Sequence, residues 1–154
     1  MINVIFVCLG NICRSPMADA VFQQMVKEAG LSAQISVDSA GTGSWHIGEK
    51  PHRGTQRVLA EHNIPYNGRA RRITTNDIGN PTNYIIVMDQ SNYNDVVREF
   101  GQHPRLHRLM EFATDSNEIN VPDAYYTGNF DYVYELITDG CHGLLATIRQ
   151  ENGL

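Results

Sequence analysis

Hydrophobic and polar positions along this 154-residue chain change period several times. Ile2-Asn3-Val4-Ile5-Phe6-Val7 is β-branched and almost continuously apolar, the pattern of a strand covered on both faces in a parallel sheet. It runs into Leu9-Gly10-Asn11 and then Ser15-Pro16, where Ser15 is the expected N-cap and Pro16 the first helical residue. The period then becomes helical. Met17, Ala18, Val21, Phe22, Met25, Val26 and Ala29 share one face, and Gly30 ends the segment. A second strand is predicted over Gln34–Ser39, and a helix opening at Pro51 and fading near His62. Tyr84–Met88 reads as a third strand, followed by a helix capped by Ser91 and running to Phe100; Leu106–Met110 reads as a short fourth strand. A last helix over Phe130–Gln150 turns Val133, Leu136, Ile137, Cys141, Leu144, Leu145 and Ile148 inward, weakened locally by Gly140 and Gly143. Strands alternating with helices predict an α/β fold with a mostly parallel sheet. Its ligands are expected beyond the carboxyl ends of the strands, first of all at the loop Cys8–Ser15.

Composition narrows the class. At 42% hydrophobic and 19% charged residues, neither disorder nor a fibrous repeat fits, and one domain over residues 1–154 is the economical reading. A formal charge of −5 argues against general affinity for nucleic acid or anionic lipid. The charge is uneven: residues 1–77 hold 8 basic and 6 acidic side chains, residues 78–154 hold 4 and 11. An anion site therefore belongs more naturally to the first half. No stretch is apolar for long enough to span a membrane, and Met1–Leu9 lacks the basic flank of a signal peptide. Three cysteines make no disulfide framework, which places the chain in a reducing cytoplasm, with secretion that needs no signal peptide left open.

The loop Cys8-Leu9-Gly10-Asn11-Ile12-Cys13-Arg14-Ser15 has the chemistry of an oxyanion cradle. Gly10 and Asn11 readily take left-handed backbone geometry, which turns successive N–H groups inward as a nest. The following helix start adds positive potential. Arg14 offers a planar fork matching two oxygens of a phosphate, and Cys8 in that setting is expected to act as a thiolate nucleophile. A strand before the loop, Gly-Asn inside it and Ser-Pro after it outweigh the plain alternative of a small core cysteine. The loop is not a Walker loop, lacking Gly-Lys-[Ser/Thr], and Cys8 and Cys13 lack the second ligand pair of a zinc site. Transfer from an oxygen also needs an acid, and Asp123 in Val121-Pro122-Asp123-Ala124-Tyr125-Tyr126 is the best candidate, although a turn aspartate beside proline is common.

Val7-Cys8-Leu9-Gly10-Asn11-Ile12-Cys13-Arg14-Ser15-Pro16-Met17-Ala18 resembles the signature of the low-molecular-weight protein-tyrosine phosphatases. Asp38-Ser39-Ala40-Gly41, Trp45, Arg69-Ala70-Arg71, Met88-Asp89-Gln90-Ser91-Asn92 and Pro122-Asp123-Ala124-Tyr125-Tyr126 resemble the family in the same order, so the likeness spans essentially the whole chain. It implies a four-stranded parallel sheet with helices on both faces and the phosphate-binding loop after the first strand. It implies hydrolysis of phosphotyrosine in proteins through a cysteinyl-phosphate, with no metal or other cofactor and with inorganic phosphate as an inhibitory product. Cys8 would be the nucleophile, Arg14 the phosphate clamp, and Asp123 the acid and then the base. Ser15 would donate to the Cys8 sulfur, and Asn11 and Ser39 would brace the loop. Leu9, Ile12, Trp45, Tyr125 and Tyr126 would line the substrate slot, and Cys13 would pair with an oxidised Cys8.

Two positions depart from the family pattern. Ala124 stands where proline usually follows the acid, and a freer backbone there is expected to loosen the aim of Asp123. Gly68 stands where many members carry a histidine, so a brace of the loop is expected to be missing or replaced by water. Arg69, Arg71 and Arg72 read as a solvated charge cluster, His46 and His52 as surface histidines near the slot, and Cys141 as plain core. Three other functions share the loop or its ligand. A thiol-based arsenate reductase needs a later pair of relay cysteines, and only Cys141 follows the loop. A protein-arginine phosphatase would resemble relatives with a small polar residue at the position of Ile12, and the apolar side chain favours an aromatic substrate. A silent phosphopeptide-binding module is disfavoured by Cys8, Arg14 and Asp123 occurring together.

Overall fold

A computed structural model describes residues 1–154. Four strands, β1 (Ile2–Cys8), β2 (Ile35–Gly41), β3 (Tyr84–Val87) and β4 (Leu106–Arg108), form one sheet in the order β2-β1-β3-β4. Every pairing is parallel, with Val4 opposite both Val37 and Tyr84. The chain leaves β1 toward β2 on one side and returns to β3 on the other. The carboxyl ends of β1 and β3 therefore flank the point where the winding reverses, the crevice in which open α/β sheets bind ligands.

The helices are α1 (Arg14–Glu28), α2 (Arg53–Glu61), α3 (Thr75–Gly79), α4 (Gln90–Phe100), α5 (Ala124–Thr127) and α6 (Phe130–Asn152). Strand alternation sorts the core into two layers. Val4, Phe6 and Cys8 of β1 and Tyr84 and Ile86 of β3 join the core built with α1, α2 and α6. Ile5, Val7, Ile85 and Val87 face the smaller core closed by Val96 of α4 and Ile73. Cys8 thus points to the same side as α1, which brings its sulfur to the first turn of that helix.

Several boundaries differ from the sequence pattern, each for a local reason. Helix α1 starts at Arg14 with Cys13 as N-cap, not Ser15, because the Ser15 hydroxyl is spent on the Cys8 sulfur. Pro16 still sits in the first turn, where a missing N–H costs no helical bond. Strand β2 lies one residue later at its start and extends to Gly41, since Ala40 and Gly41 pair with Val7 and Cys8. Helix α2 opens at Arg53, its cap being His52, whose ring accepts the Gly54 N–H. Helix α4 is capped by Asp89, not Ser91, through a 2.7 Å bond from the Asn92 N–H. Strand β4 stops at Arg108, and Leu109–Phe112 turn as a 3₁₀ helix. Helix α6 continues to Asn152, with Leu145 only half buried. The short α3 and α5 carry no apolar period long enough to show in the sequence pattern.

Candidate active site

Beyond the end of β1, the segment from Leu9 to Arg14 bends around one cavity of about 240 Å³. Asn11 supplies the bend with φ 57°, the left-handed geometry its carboxamide tolerates. The carbonyls of the loop are taken by neighbours. Thr42 N–H bonds Cys8 O at 3.0 Å, Gly43 N–H bonds Leu9 O at 2.8 Å, and His52 N–H bonds Ile12 O at 2.7 Å. The Thr55 hydroxyl bonds Cys13 O at 2.9 Å. The N–H groups of Gly10, Ile12, Cys13 and Arg14 have no backbone partner, which leaves a ring of donors of the kind that binds anions. The approach of β2 is close: a Cβ on Gly41 would lie 2.8 Å from Leu9 O.

The Cys8 sulfur lies 3.0 Å from the Ser15 hydroxyl and accepts the Asn11 N–H at 3.3 Å. The Asn11 carboxamide donates to Ser15 Oγ at 2.7 Å and to Ser39 Oγ at 3.0 Å, and its oxygen takes the Arg71 N–H at 2.9 Å. With Asn11 already donating to Ser15, the Ser15 proton has two acceptors, the Cys8 sulfur at 3.0 Å and the Ala40 carbonyl at 3.4 Å, and the sulfur is the nearer. Arg14 is 3% exposed and held from behind, donating from one terminal nitrogen to Asp89 Oδ2 at 2.5 Å and to Val121 O at 2.9 Å. Its other terminal nitrogen reaches Asp123 Oδ2 at 3.4 Å. Burial alone would lower the Arg14 pKa, but the Cys8 charge and the Asp89 and Asp123 carboxylates outweigh it and raise it above its ordinary value. The guanidinium is therefore a permanent cation facing Cys8, with its Nε–H uncommitted to protein.

Asp123 lines the same cavity from the opposite loop. It caps α5, its Oδ1 taking the Tyr125 N–H at 3.1 Å, and Ala124 behind it is buried. The carboxyl is thus aimed by its own cap and by Arg14, although proline is absent. The walls are apolar: Leu9 and Ile12 below, Trp45, Tyr125 and Tyr126 at the rim, with Trp45 70% exposed and Tyr126 77% exposed. The Trp45 ring lies over Gly43, where a Cβ would come within 1.9 Å of it. Gly10, Cys13 and His46 complete the lining. Every residue expected at the catalytic loop and slot thus borders one cavity, with Ser15, Asn11 and Ser39 behind it.

Residue patterns missed several supports. Asp89 and the Val121 carbonyl hold Arg14; the position of Asp89 as N-cap directly after a strand was the available signal. His46 belongs to the slot and bonds Glu49 at 2.9 Å, while His52 stacks on Phe130 at 5.0 Å and meets Tyr125 edge-on at 5.9 Å. Both histidines pack beside the acid loop instead of standing free on the surface. Arg71 is likewise no mere solvated charge, since it grips Asp77 at 2.9 and 3.0 Å and Asp38 at 3.0 Å.

Residues 3–153 match the family described as low molecular weight phosphotyrosine protein phosphatase. The chain belongs to that family. It is 46% identical over 157 residues to the low molecular weight protein-tyrosine-phosphatase YfkJ of Bacillus subtilis, covering 100% of both chains. The crystal structure of YfkJ superposes with a TM-score of 0.94 over 99% of this chain and 97% of that one. PtpA of Staphylococcus epidermidis, also named a low molecular weight protein-tyrosine-phosphatase, is 44% identical over 156 residues, covering 100% of this chain and 98% of the relative. The structure of an arginine phosphatase from Drosophila is 30% identical with a TM-score of 0.84, covering 95% of this chain and 97% of the other. The phosphatase fold thus serves more than one phosphorylated side chain. At the second departure from the family pattern, this phosphatase fills the space above Gly68 with Tyr66: a Cβ on Gly68 would fall 2.3 Å from the Tyr66 hydroxyl. That hydroxyl stands 3.3 Å from Ser39 Oγ, so the expected gap in the brace is occupied by protein.

Proposed function

We propose that this phosphatase hydrolyses phosphotyrosine in proteins by way of a phosphate covalently held on Cys8. The observation that carries the reading is the Cys8 sulfur seated among the loop N–H groups, with Arg14 and Asp123 on the same cavity. The sulfur attacks phosphorus, and the bond from phosphorus to the phenolic oxygen breaks. Asp123 gives its proton to that oxygen, and the charge on the equatorial oxygens is spread over the loop N–H groups and Arg14. The Asp123 carboxylate then takes a proton from water as water attacks phosphorus. The S–P bond breaks, with the Ser15 hydroxyl donating to the departing thiolate. Inorganic phosphate is released and competes for the same cradle.

Ile12, Leu9, Trp45, Tyr125 and Tyr126 make the slot suited to a flat aryl ring. The smaller, charged phosphoguanidinium would leave that apolar surface unfilled and bring a charge against it. Cys13 is pushed up to about 12, first by burial and then by the Cys8 charge, so it rests as a thiol. Peroxide converting Cys8 to a sulfenic acid removes that charge. Cys13 then attacks the oxidised sulfur, and water leaves as the disulfide forms.

The test is parallel steady-state kinetics on phosphotyrosine and phosphoarginine peptides, with EDTA and thiol present. A kcat/KM at least ~100-fold higher on phosphotyrosine is expected. Preference for phosphoarginine would overturn the substrate class while leaving the Cys8 chemistry standing.

A further inference from the structure

Behind the catalytic loop, away from the cavity, lies a buried polar group that the hydrolytic steps do not use. Asp19 on α1 is 2% exposed, with no cation within ion-pair distance. Its oxygens take the Gln23 amide at 2.6 Å and the Tyr66 hydroxyl at 2.7 Å. Burial, which outweighs these bonds, raises the Asp19 carboxyl above its ordinary value. The Tyr66 phenol is also raised by burial and by the Asp19 charge, so it keeps its proton.

These bonds have a direction. Tyr66 spends its one proton on Asp19, so toward Ser39 its oxygen acts as an acceptor at 3.3 Å. Ser39 then donates to Tyr66 while accepting from the Asn11 carboxamide at 3.0 Å. The same carboxamide nitrogen holds Ser15, and Ser15 stands on the Cys8 sulfur. A continuous run of polar contacts thus links a carboxyl on the first helix to the nucleophile, and Tyr66 is its only member from the segment after α2.

We propose that the Tyr66 hydroxyl, anchored on Asp19, is a positioning group that orients Ser39 and, through the Asn11 carboxamide, keeps the Ser15 proton on Cys8. The inference rests on Cys8 being the nucleophile, but not on the identity of the substrate. Removing the hydroxyl takes away the acceptor that holds the Ser39 proton toward Tyr66 and leaves that proton to the Asp19 carboxyl alone. Ser39 then turns, the carboxamide loses one of its two fixed acceptors, and Ser15 bonds sulfur for less of the time. The consequence belongs to the sulfur, not to substrate affinity: kcat falls while KM holds.

The test is alkylation of Cys8 by iodoacetamide across pH, followed by mass spectrometry of the Cys8 peptide in the full-length chain. It is run on the parent, Tyr66→Phe, Ser39→Ala and the double variant. Tyr66→Phe is expected to move the midpoint of alkylation up by about half a pH unit or more. It should also lower kcat on p-nitrophenyl phosphate about five- to tenfold at unchanged KM. In the Ser39→Ala background it should add nothing, the sign of two residues acting along one route. An unshifted midpoint in a folded Tyr66→Phe chain, even with a lower melting temperature, would make Tyr66 a packing residue and overturn the proposal. Equal, additive shifts in the double variant would overturn the route through Ser39. Should Tyr66→Phe not fold, Asp19→Asn keeps the shape of the anchor and is expected to shift the midpoint in the same direction by less; no shift there overturns the proposal equally. Because alkylation reads the sulfur itself, absence of turnover on phosphotyrosine would count against the substrate reading alone.

Discussion

Asp123 divides one carboxyl between two tasks: Oδ1 takes the Tyr125 N–H, and Oδ2 faces Arg14 across the cavity. The cap fixes the rotamer, so in the proposed reaction the second oxygen would meet the leaving group without a search. Asp123→Ala is expected to lower kcat about 10²–10³-fold on phenyl phosphate and much less on a phosphate with a good leaving group. Equal losses on both, read from a series of substituted phenyl phosphates, would remove the acid role. Asp89 works one step further back. With Asp89→Asn, the guanidinium keeps the Val121 carbonyl but loses its 2.5 Å carboxylate partner. A loss of about tenfold in kcat/KM is expected, together with weaker competition by inorganic phosphate. Unchanged phosphate inhibition would mean that Arg14 needs no second anchor.

At the scale of elements, the long helix α6 meets the 3₁₀ turn Leu109–Phe112 at its two glycines. A Cβ on Gly143 would fall 1.7 Å from the Phe112 carbonyl oxygen, and one on Gly140 would fall 2.6 Å from Leu109 Cγ. Helix propensity alone favours Gly143→Ala by about 1 kcal/mol. Contact with backbone decides the other way, and a net loss of about 1–3 kcal/mol is expected by chemical denaturation. A stabilised variant would show that the helix can move off the turn. Helix α3 hangs on Asp77. Burial alone would raise its carboxyl, but bonds from Arg71 and Thr74 outweigh it and hold it below its ordinary 3.8. A lowered folded value means that its contribution is complete above about pH 3.8 and is lost as the pH falls through the folded value. Asp19 has the opposite sign, being raised by burial, and loses its contribution as the pH rises through its folded value. Asp77→Asn should therefore lower the melting temperature at pH 7 and lower it by progressively less as the pH falls below 3.8; an undiminished loss across that fall would exclude the ionic account. The apolar pattern made the strands and the long helices legible, because β1 is apolar along its buried length and α6 buries a regular stripe. It missed α3 and α5 because those elements are held by Asp77 and Asp123 side chains instead of an apolar stripe. It misplaced the starts of α1 and α4 because the obvious capping residues there serve elsewhere or yield to a neighbouring aspartate.

For the whole molecule, the loop after β1, the cap of α4 after β3 and the acid loop converge on the reversal point of the sheet. Motif and resemblance made Cys8, Arg14 and Asp123 legible. Asp89 reaches Arg14 across 75 residues, Tyr66 reaches Asp19 across 47 and Ser39 across 27, separations that no local pattern reveals. A ligand that binds this folded cradle and not the open chain stabilises the fold. Phosphate at about 100 times its dissociation constant should add about 2.7 kcal/mol, read as a rise in melting temperature. Arg14→Ala should abolish that rise; an equal rise in the variant would place phosphate elsewhere. The central claim is that Cys8 itself carries the phosphoryl group. The most direct measurement is rapid acid quench of the parent and of Cys8→Ser during turnover of a ³²P-labelled phosphotyrosine peptide, with the labelled site located by mass spectrometry. The account predicts transient label on Cys8 in the parent, formed and lost at the rate of turnover, and no turnover by Cys8→Ser. Steady turnover with no label on Cys8, or turnover surviving in Cys8→Ser, would contradict it.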